Sequence, residues 1–144
     1  MNYEDVKTRI KKIEGFSAKV YLDSLGKQTI GYGHLLTEDD NFEEGIIYDK
    51  DILERLFDKD FNKAKQGMEE LVGTSPLPML VKGVIIEMVY QLGKTGVSKF
   101  KNMFAALNEY DYTRGAAEMI NSAWYRQTPS RCEELANLVR KCTI

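Results

Sequence analysis

EGFSAKVYLDSLGKQTIGYGH, residues 14–34, decides the fold of this chain, because it joins the end of a helical pattern to a complete hairpin pattern. KVYL at 19–22 is typical of a strand, and QTI at 28–30 is typical of the strand that returns. DSLG at 23–26 indicates the turn, since an Asp side chain can hydrogen-bond to the backbone of its own turn and Gly tolerates a positive φ. The pattern predicts a hairpin over residues 18–30.

Glu14 is predicted to end the first helix, because apolar residues recur at helical spacing from Val6 to Ile13 and Gly15 follows. A carboxylate in that position faces the negative end of the helix dipole. Burial beside Ile13 and Phe16 also disfavours its charged form. Glu14 is therefore expected to keep its proton longer than a free glutamate, which suits a general acid.

Asp23 is predicted to have the opposite character, because water and backbone amides in a turn favour a charged carboxylate that can act as a base. The returning strand brings the hydroxyl of Thr29 beside that turn, within reach of a water held by Asp23. An acid, a base and a water-orienting hydroxyl suit the cleavage of a glycosidic bond. The same residues also occur in hairpins without activity, and spacing alone favours that plainer interpretation.

Matches along a larger part of the chain favour the interpretation that the hairpin is catalytic. TIGYGHLLT (29–37), preceded by the two acids, resembles the catalytic segment of the phage lysozymes of the T-even type, glycoside hydrolase family 24. MVYQLGKTGV (88–97) and WYRQTPSR (124–131) resemble two further segments of that family, in the same order. Three separated matches over most of the chain are more specific than a single glycine-rich motif.

The resemblance implies an α+β fold. This is a two-lobed, lysozyme-like and mostly helical structure, in which a long helix joins a small β-hairpin lobe to a helical lobe. Residues 1–144 would form a single lysozyme domain. Its parts would be a small lobe over about 14–50, a linking helix over about 50–72, and a helical lobe over about 73–144 together with the first helix.

Apolar periodicity predicts the helices independently of the resemblance. The first runs from about residue 3 to 13, and Asp49 is a plausible N-cap for a long helix with apolar residues from Ile52 to Val72. A buried helix follows over 81–92, ended by Gly93 as a left-handed C-cap residue. Thr128 is expected to cap the last of three shorter helices, at about 98–107, 111–121 and 129–141.

The mechanism that the resemblance implies is hydrolysis of the β-1,4 bond between N-acetylmuramic acid and N-acetylglucosamine in peptidoglycan, leading to lysis of the host cell. Glu14 would protonate the leaving oxygen, while Asp23 with Thr29 would position the attacking water. Room for that water requires the two carboxyl groups to lie about 6.5–9.5 Å apart, and the product would be inverted.

The resemblance also implies roles for residues outside the catalytic three. Substrate-binding roles fall on Leu35, Tyr90, Gln91 and Thr128. Supporting roles fall on Gly33, His34, Asp60, Trp124 and Arg131. His34, the only histidine, is expected to form a structural pair with Asp60. Trp124 is expected to pack in the core with its indole N–H near Gln91. Arg131 would reach Glu14, which leaves the net direction of the Glu14 pKa shift open.

No metal or organic cofactor is expected, because one histidine and two separated cysteines form no recognisable ligand set. Cys132 and Cys142 are ten residues apart in a helical pattern, about 15 Å along the axis, so free thiols are expected. The expected partner is peptidoglycan, with no nucleic acid, and a monomer is expected.

The charged amino terminus and the lack of a long apolar run predict no signal peptide and no membrane insertion. By resemblance to endolysins, the protein would be made in the host cytoplasm. It would act on the cell wall in the periplasm after a separately encoded holin opens a pore.

Two features depart from the family pattern. Only Glu38 to Tyr48 remain before the long helix, so the upper rim of the cleft is expected to be trimmed. Residues 1–72 carry a net charge of −5 and residues 73–144 of +3, whereas the T-even relatives are strongly basic. Either the chain binds the polyanionic wall more weakly or relies on its basic half for attraction, or the net charge affects solubility alone.

Two rival functions remain open at the level of sequence. A lytic transglycosylase uses one acidic residue and makes an anhydro-sugar, and the presence of Asp23 and Thr29 argues against it. A non-catalytic wall-binding or virion structural module would keep the fold without the chemistry.

Overall fold

The computed structural model describes residues 1–142 and has an α+β fold with seven helices and one three-stranded antiparallel sheet in that range. Helices account for 63% of it, so the predicted lysozyme-like, mostly helical fold is confirmed. The elements in chain order are α1 (Tyr3–Glu14), β1 (Ser17–Leu22), β2 (Gln28–Gly31), β3 (His34–Leu35), α2 (Lys50–Val72), α3 (Met79–Ser98), α4 (Lys101–Asn108), α5 (Tyr112–Ile120), α6 (Ala123–Gln127) and α7 (Pro129–Arg140).

The predicted hairpin is confirmed as β1 and β2. Tyr21 lies opposite Thr29, and a bulge interrupts the pairing between Ser17 and Tyr21. β3 adds a third strand, with Leu35 opposite Thr29 on its other side. The sequence did not predict β3, because two residues are too few to show an alternating pattern.

The chain divides into two compact units, one formed by Lys7–Lys63 and the other by Met1–Val6 with the chain from Ala64 onward. α1 and α2 each contribute residues to both units. The lobe boundaries predicted from the sequence stay a prediction.

The core of the Lys7–Lys63 unit is built mainly from one face of α2. Leu53, Phe57 and Phe61 recur at helical spacing and are buried, as are Ile10 of α1 and Ile30 of β2. The Asp49 carboxylate accepts a hydrogen bond from the Asp51 amide at 2.9 Å, so the predicted cap of this helix is confirmed.

The core of the second unit centres on α3, which is buried along most of its first part. α5 packs against both α4 and α7. Helices α4, α5 and α7 confirm the three short helices predicted after Gly93. The sequence missed α6, a five-residue helix whose first turn is capped by the Ser122 hydroxyl, which accepts from the Tyr125 amide.

Gly93 interrupts α3, although not in the predicted way. Its φ of 79° is positive, as a left-handed cap requires, but its ψ of 157° is extended. The chain therefore kinks at Gly93 and resumes a helix as far as Ser98, instead of ending in a left-handed cap. Backbone angles of this kind are nearly restricted to glycine.

Replacing Gly93 with Ala should lower the free energy of unfolding by about 1–3 kcal/mol, because a Cβ makes these backbone angles strained. The strain is the cause, since an added Cβ would meet no atom within 4 Å. Urea denaturation would measure the loss.

Gly96→Ala is the matched control. Its Cβ would lie 3.4 Å from the Leu92 Cβ, and its φ is outside the positive range. Ala favours a helix, so this variant should be as stable as the wild type or more stable. Equal losses for the two variants would contradict the role of the Gly93 backbone.

Candidate active site

One face of the three-stranded sheet and its first turn carries four side chains of the candidate site. Tyr21 and Thr29 are directly opposed in the sheet, and Leu35 opposes Thr29 from β3. Asp23 continues the pairing, since its amide donates to the Lys27 carbonyl at 2.9 Å. Alternate residues of a strand point to the same face, so Asp23 projects on the side of Tyr21 and Thr29.

The carboxylate of Asp23 is held by the backbone of its own turn. Its Oδ1 accepts from the amide of Leu25 at 2.9 Å and from the amide of Lys27 at 2.8 Å. Both bonds use the same oxygen, and neither uses Oδ2. The turn therefore fixes the orientation of the carboxylate while one oxygen stays outside this network.

Thr29 is the one site residue of the hairpin that is buried, with 2% of its surface exposed. Its hydroxyl donates to the Lys27 carbonyl at 3.0 Å. Because the proton is committed to that carbonyl, the lone pairs of the Thr29 oxygen remain available to accept a hydrogen bond.

Glu14 ends α1, as predicted, and its carboxylate lies directly against Gly33. A Cβ on Gly33 would lie 2.6 Å from the Glu14 Oε1, so only glycine admits the carboxylate in this position. Gly33 also has a φ of +76°, which glycine tolerates best.

The two acids act on a common neighbour. Burial raises the pKa of the Tyr21 phenol, and the negative charges of Glu14 and Asp23 raise it further. Glu14, Asp23 and Tyr21 thus form one electrostatic cluster, although the sequence predicted no role for the tyrosine. The alternation of side chains along a strand could have identified Tyr21, because it puts residues 21 and 23 on one face.

A second network fixes the end of α1 near this cluster. Lys11 donates to Glu54 at 2.7 Å, and the Tyr32 hydroxyl donates to the other Glu54 oxygen at 2.6 Å. Hydrogen bonds from Lys11 and then Tyr32 lower the pKa of Glu54. Burial, followed by the bond to Glu54, raises the pKa of Tyr32 to about 12. The network joins α1 and the turn before Gly33 to α2.

His34 forms the predicted pair with Asp60, with Nδ1 at 2.7 Å from the carboxylate, and also contacts Asp40 through Nε2 at 3.0 Å. Two carboxylate partners can both be satisfied only when both ring nitrogens carry protons. The bond to Asp60 raises the pKa of His34; burial lowers it, and the bond to Asp40 raises it again, with a net increase. The sequence missed Asp40, although its acidic loop follows His34 closely.

Asp40 also organises its own loop. It accepts from the Thr37 amide at 2.7 Å and from the Thr37 hydroxyl at 3.2 Å. Burial raises the pKa of Asp40, but the hydrogen bonds from Thr37 and His34 outweigh it and lower the pKa. His34 is therefore the group that connects the short loop after β3 to α2.

In the second unit, the indole N–H of Trp124 donates to Gln91 at 3.0 Å, which confirms the predicted contact. Only 3% of Trp124 is exposed, and Phe100 packs edge-on against it, so its core position is also confirmed. Gln91 in turn donates to the Thr128 hydroxyl at 3.2 Å.

The predicted capping role of the Thr128 side chain is wrong. Thr128 occupies the N-cap position of α7, but its hydroxyl makes no cap hydrogen bond. It accepts from Gln91 and donates to the Trp124 carbonyl at 3.4 Å instead. These two bonds join the Thr128 side chain to α3 and α6 instead of to the first amides of α7.

Arg131 pairs with a residue that the sequence analysis did not single out. Its Nε donates to Glu87 at 3.0 Å, and Glu87 is 1% exposed. A glutamate within the apolar pattern of α3 was the available signal, since a buried carboxylate needs a partner. The reach of Arg131 to Glu14 stays a prediction, as do the roles of Leu35 and Tyr90 in substrate binding.

The second unit also contains a cavity of about 550 Å³ beside Trp124. Its lining mixes aromatic, apolar and charged side chains, including Phe100, Met103, Lys99, Glu118 and Gln127. Among residues 1–142, no cluster of three or more His, Cys, Asp or Glu side chains could hold a metal ion. Cys132 and Cys142 are free thiols, as predicted.

The chain is similar to known proteins over most of its length. The family model described as phage lysozyme matches residues 11–142. The chain is 30% identical to "Probable T4-type lysozyme 1" of Dictyostelium discoideum, over 96% of this chain and 95% of that protein.

Two phage proteins are similar to the chain over a smaller part of their own length. One is "Pre-baseplate central spike protein Gp5" of Enterobacteria phage T4, 24% identical over 90% of this chain and 26% of that protein. The other is "Peptidoglycan hydrolase gp36" of Pseudomonas phage phiKMV, 28% identical over 86% of this chain and 14% of that protein.

If Glu14 has its predicted catalytic role, Gly33→Ala should reduce lytic activity about 100-fold, because the new Cβ must displace the Glu14 carboxylate and a small misplacement of a catalytic group is costly. Gly31→Ala is the control. Gly31 has a similar φ of +65°, but its Cβ would only touch Leu53 at 3.7 Å. Both variants should lose about 1–2 kcal/mol of stability, whereas only Gly33→Ala should lose activity per folded molecule.

His34→Ala should lower the free energy of unfolding by about 1.5–3 kcal/mol at pH 5.5, where the charged ring bonds to both carboxylates. The folded pKa is raised, so this contribution is complete below the unfolded pKa of about 6.5 and is lost as pH rises through the folded value. Urea denaturation of both proteins from pH 5 to 9 tests this. A stability difference that does not change with pH would contradict it.

Proposed function

We infer the function of this chain from its family: it belongs to the phage lysozyme family, whose model matches residues 11–142, and it is a lysozyme-type cell-wall hydrolase. We propose in addition that it cleaves the β-1,4 bond between N-acetylmuramic acid and N-acetylglucosamine in peptidoglycan. The name of one relative, a peptidoglycan hydrolase, supports this substrate.

Glu14 is the proposed general acid. Its proton passes to the glycosidic oxygen as the bond from that oxygen to the anomeric carbon breaks, so the leaving sugar departs as an alcohol. The support is its position at the carboxyl end of α1, where the helix dipole disfavours a negative charge. Gly33 leaves the space that the carboxyl group occupies.

Asp23 and Thr29 are the proposed water-handling residues. Asp23 accepts a proton from water while the water oxygen bonds to the anomeric carbon on the face opposite the leaving group, which inverts the configuration there. The turn leaves Oδ2 of Asp23 outside its own bonds, and the Thr29 oxygen can accept the second proton of that water in a hydrogen bond. The amide-held carboxylate of Asp23, on the same strand face as Thr29, is the observation that carries the proposal.

The proposed biological role is that of an endolysin that lyses the host. In this role the protein is made in the host cytoplasm, works as a monomer without a cofactor, and reaches the periplasm through a holin pore. Among residues 1–142, no helix is both long enough and apolar enough to cross a membrane.

A virion role is the second candidate, because one relative is named as a central spike protein. A lysozyme-type domain in a virion could still cut the wall, so activity alone does not separate the two roles. Detection of the chain in purified virions would favour the spike role, and its restriction to the host lysate would favour the endolysin role.

Glu14→Gln and Asp23→Asn should each slow the clearing of outer-membrane-stripped bacteria at least about 100-fold, because each removes one partner in proton transfer. Glu69→Gln and Asp39→Asn are matched controls, since both carboxylates are exposed and neither belongs to the site. The controls should clear the suspension at the wild-type rate.

The products identify the reaction. Each hydrolytic cut adds the mass of one water to the summed mass of the products. A transglycosylase makes an anhydro-sugar and leaves the summed mass unchanged. NMR at early times should show the inverted anomer. Anhydro products would refute hydrolysis, and a retained anomer would refute the role of Asp23 as a base toward water.

A further inference from the structure

Tyr21 is an exposed aromatic residue on the same hairpin face as Thr29 and Asp23. It lies opposite Thr29 and two residues before Asp23, so it projects on the face that carries both. Its side chain is 37% exposed, unlike buried Thr29. The ring is therefore open to a ligand that approaches the proposed water-handling pair.

The hydroxyl of Tyr21 is not used by the fold. Tyr32 donates its hydroxyl proton to Glu54, and the Tyr48 hydroxyl accepts from the Glu43 amide. Within residues 1–142, the Tyr21 hydroxyl makes no such bond to backbone or side chain. A partly exposed phenol of this kind is a donor and acceptor without a hydrogen-bond partner among these residues.

The surroundings of Tyr21 keep its phenol protonated, so that the hydroxyl can donate a hydrogen bond. Burial disfavours a negative phenolate at Tyr21, and the charges of Glu14 and Asp23 disfavour it further. Tyr21 therefore keeps its proton throughout the pH range in which a carboxyl pair can work. A neutral O–H group next to two acids can complement an acceptor oxygen of the ligand.

We propose that Tyr21 is a substrate-contacting residue, whose phenol donates a hydrogen bond to a hydroxyl or N-acetyl oxygen of the sugar held over Asp23 and Thr29. The ring packs against the apolar C–H face of the same sugar. Sugars present both kinds of surface side by side, which matches an aromatic ring with a polar tip. This inference rests on the proposed function, since it names the contact by which that site holds its glycan.

A contact present in both the ground state and the transition state changes KM and leaves kcat unaltered. Tyr21→Phe removes only the hydroxyl, so KM should rise about three- to tenfold, the value of one ordinary hydrogen bond. Tyr21→Ala also removes the ring and should raise KM further. The acidic and basic limbs of the pH profile should stay where they are in the wild type.

The pH profile separates this role from an indirect one. If Tyr21 acted by tuning Glu14 or Asp23, Tyr21→Phe would move a limb of the profile, and that result would overturn the substrate contact. Tyr110→Phe is the matched control, because Tyr110 is 41% exposed and lies outside the hairpin. Its KM should equal that of the wild type.

Binding measurements separate failure of this inference from failure of the proposed function. Soluble peptidoglycan glycan strands would be titrated calorimetrically into Glu14→Gln and into Glu14→Gln with Tyr21→Phe. Dissociation constants that differ three- to tenfold support the contact, even if the wild type cleaves nothing. Equal constants, or no binding by either protein, overturn it, whether or not the wild type is active.

Discussion

The hydrogen-bonded group of Glu54, Lys11 and Tyr32 is the constraint on which the candidate site depends. Lys11 lies one turn before the end of α1, and Tyr32 precedes Gly33. Each donates to a different oxygen of Glu54, so one side chain of α2 fixes two separate segments. Lys11 also lies 5.2 Å from the Tyr32 ring and 4.9 Å from the Phe57 ring, which holds its charge against the aromatic core.

With these segments fixed, the rest of the site geometry follows from the helix end, the strand pairing and the turn. The end of α1 delivers Glu14 to the backbone of Gly33, where the absence of a Cβ lets them meet. The strand pairing then delivers Thr29 and Tyr21 to one face, and the turn orients Asp23 through two amides. A carboxyl group at a helix end and another held by amides experience different surroundings, which is the requirement for an acid and a base in one site.

The elements that depend on residues close in sequence could be predicted from the sequence. The hairpin, the end of α1 at Glu14 and the cap at Asp49 depend on neighbours within a few positions, and all three are confirmed. Asp60, which pairs with His34, and Gln91, which pairs with Trp124, are distant in sequence from their partners, and the resemblance to a family supplied both pairs.

The parts that sequence reasoning missed depend on which side chains fold next to each other. Glu87 pairs with Arg131 from 44 positions away, and no periodicity encodes that distance. Thr128 has a capping residue's identity and position, yet its hydroxyl is used by Gln91 and Trp124. Gly93 carries the expected sign of φ but an extended ψ, because the chain resumes a helix after it.

The turn holds the Asp23 carboxylate through its main chain and not through its side chains. Both hydrogen bonds to the carboxylate come from main-chain amides, so the side chains of Ser24 and Leu25 contribute nothing to them. Both residues are exposed, and Leu25 is among the most exposed large apolar residues of the protein. The side chains at the tip of the hairpin can therefore be exchanged while the Asp23 carboxylate retains its orientation.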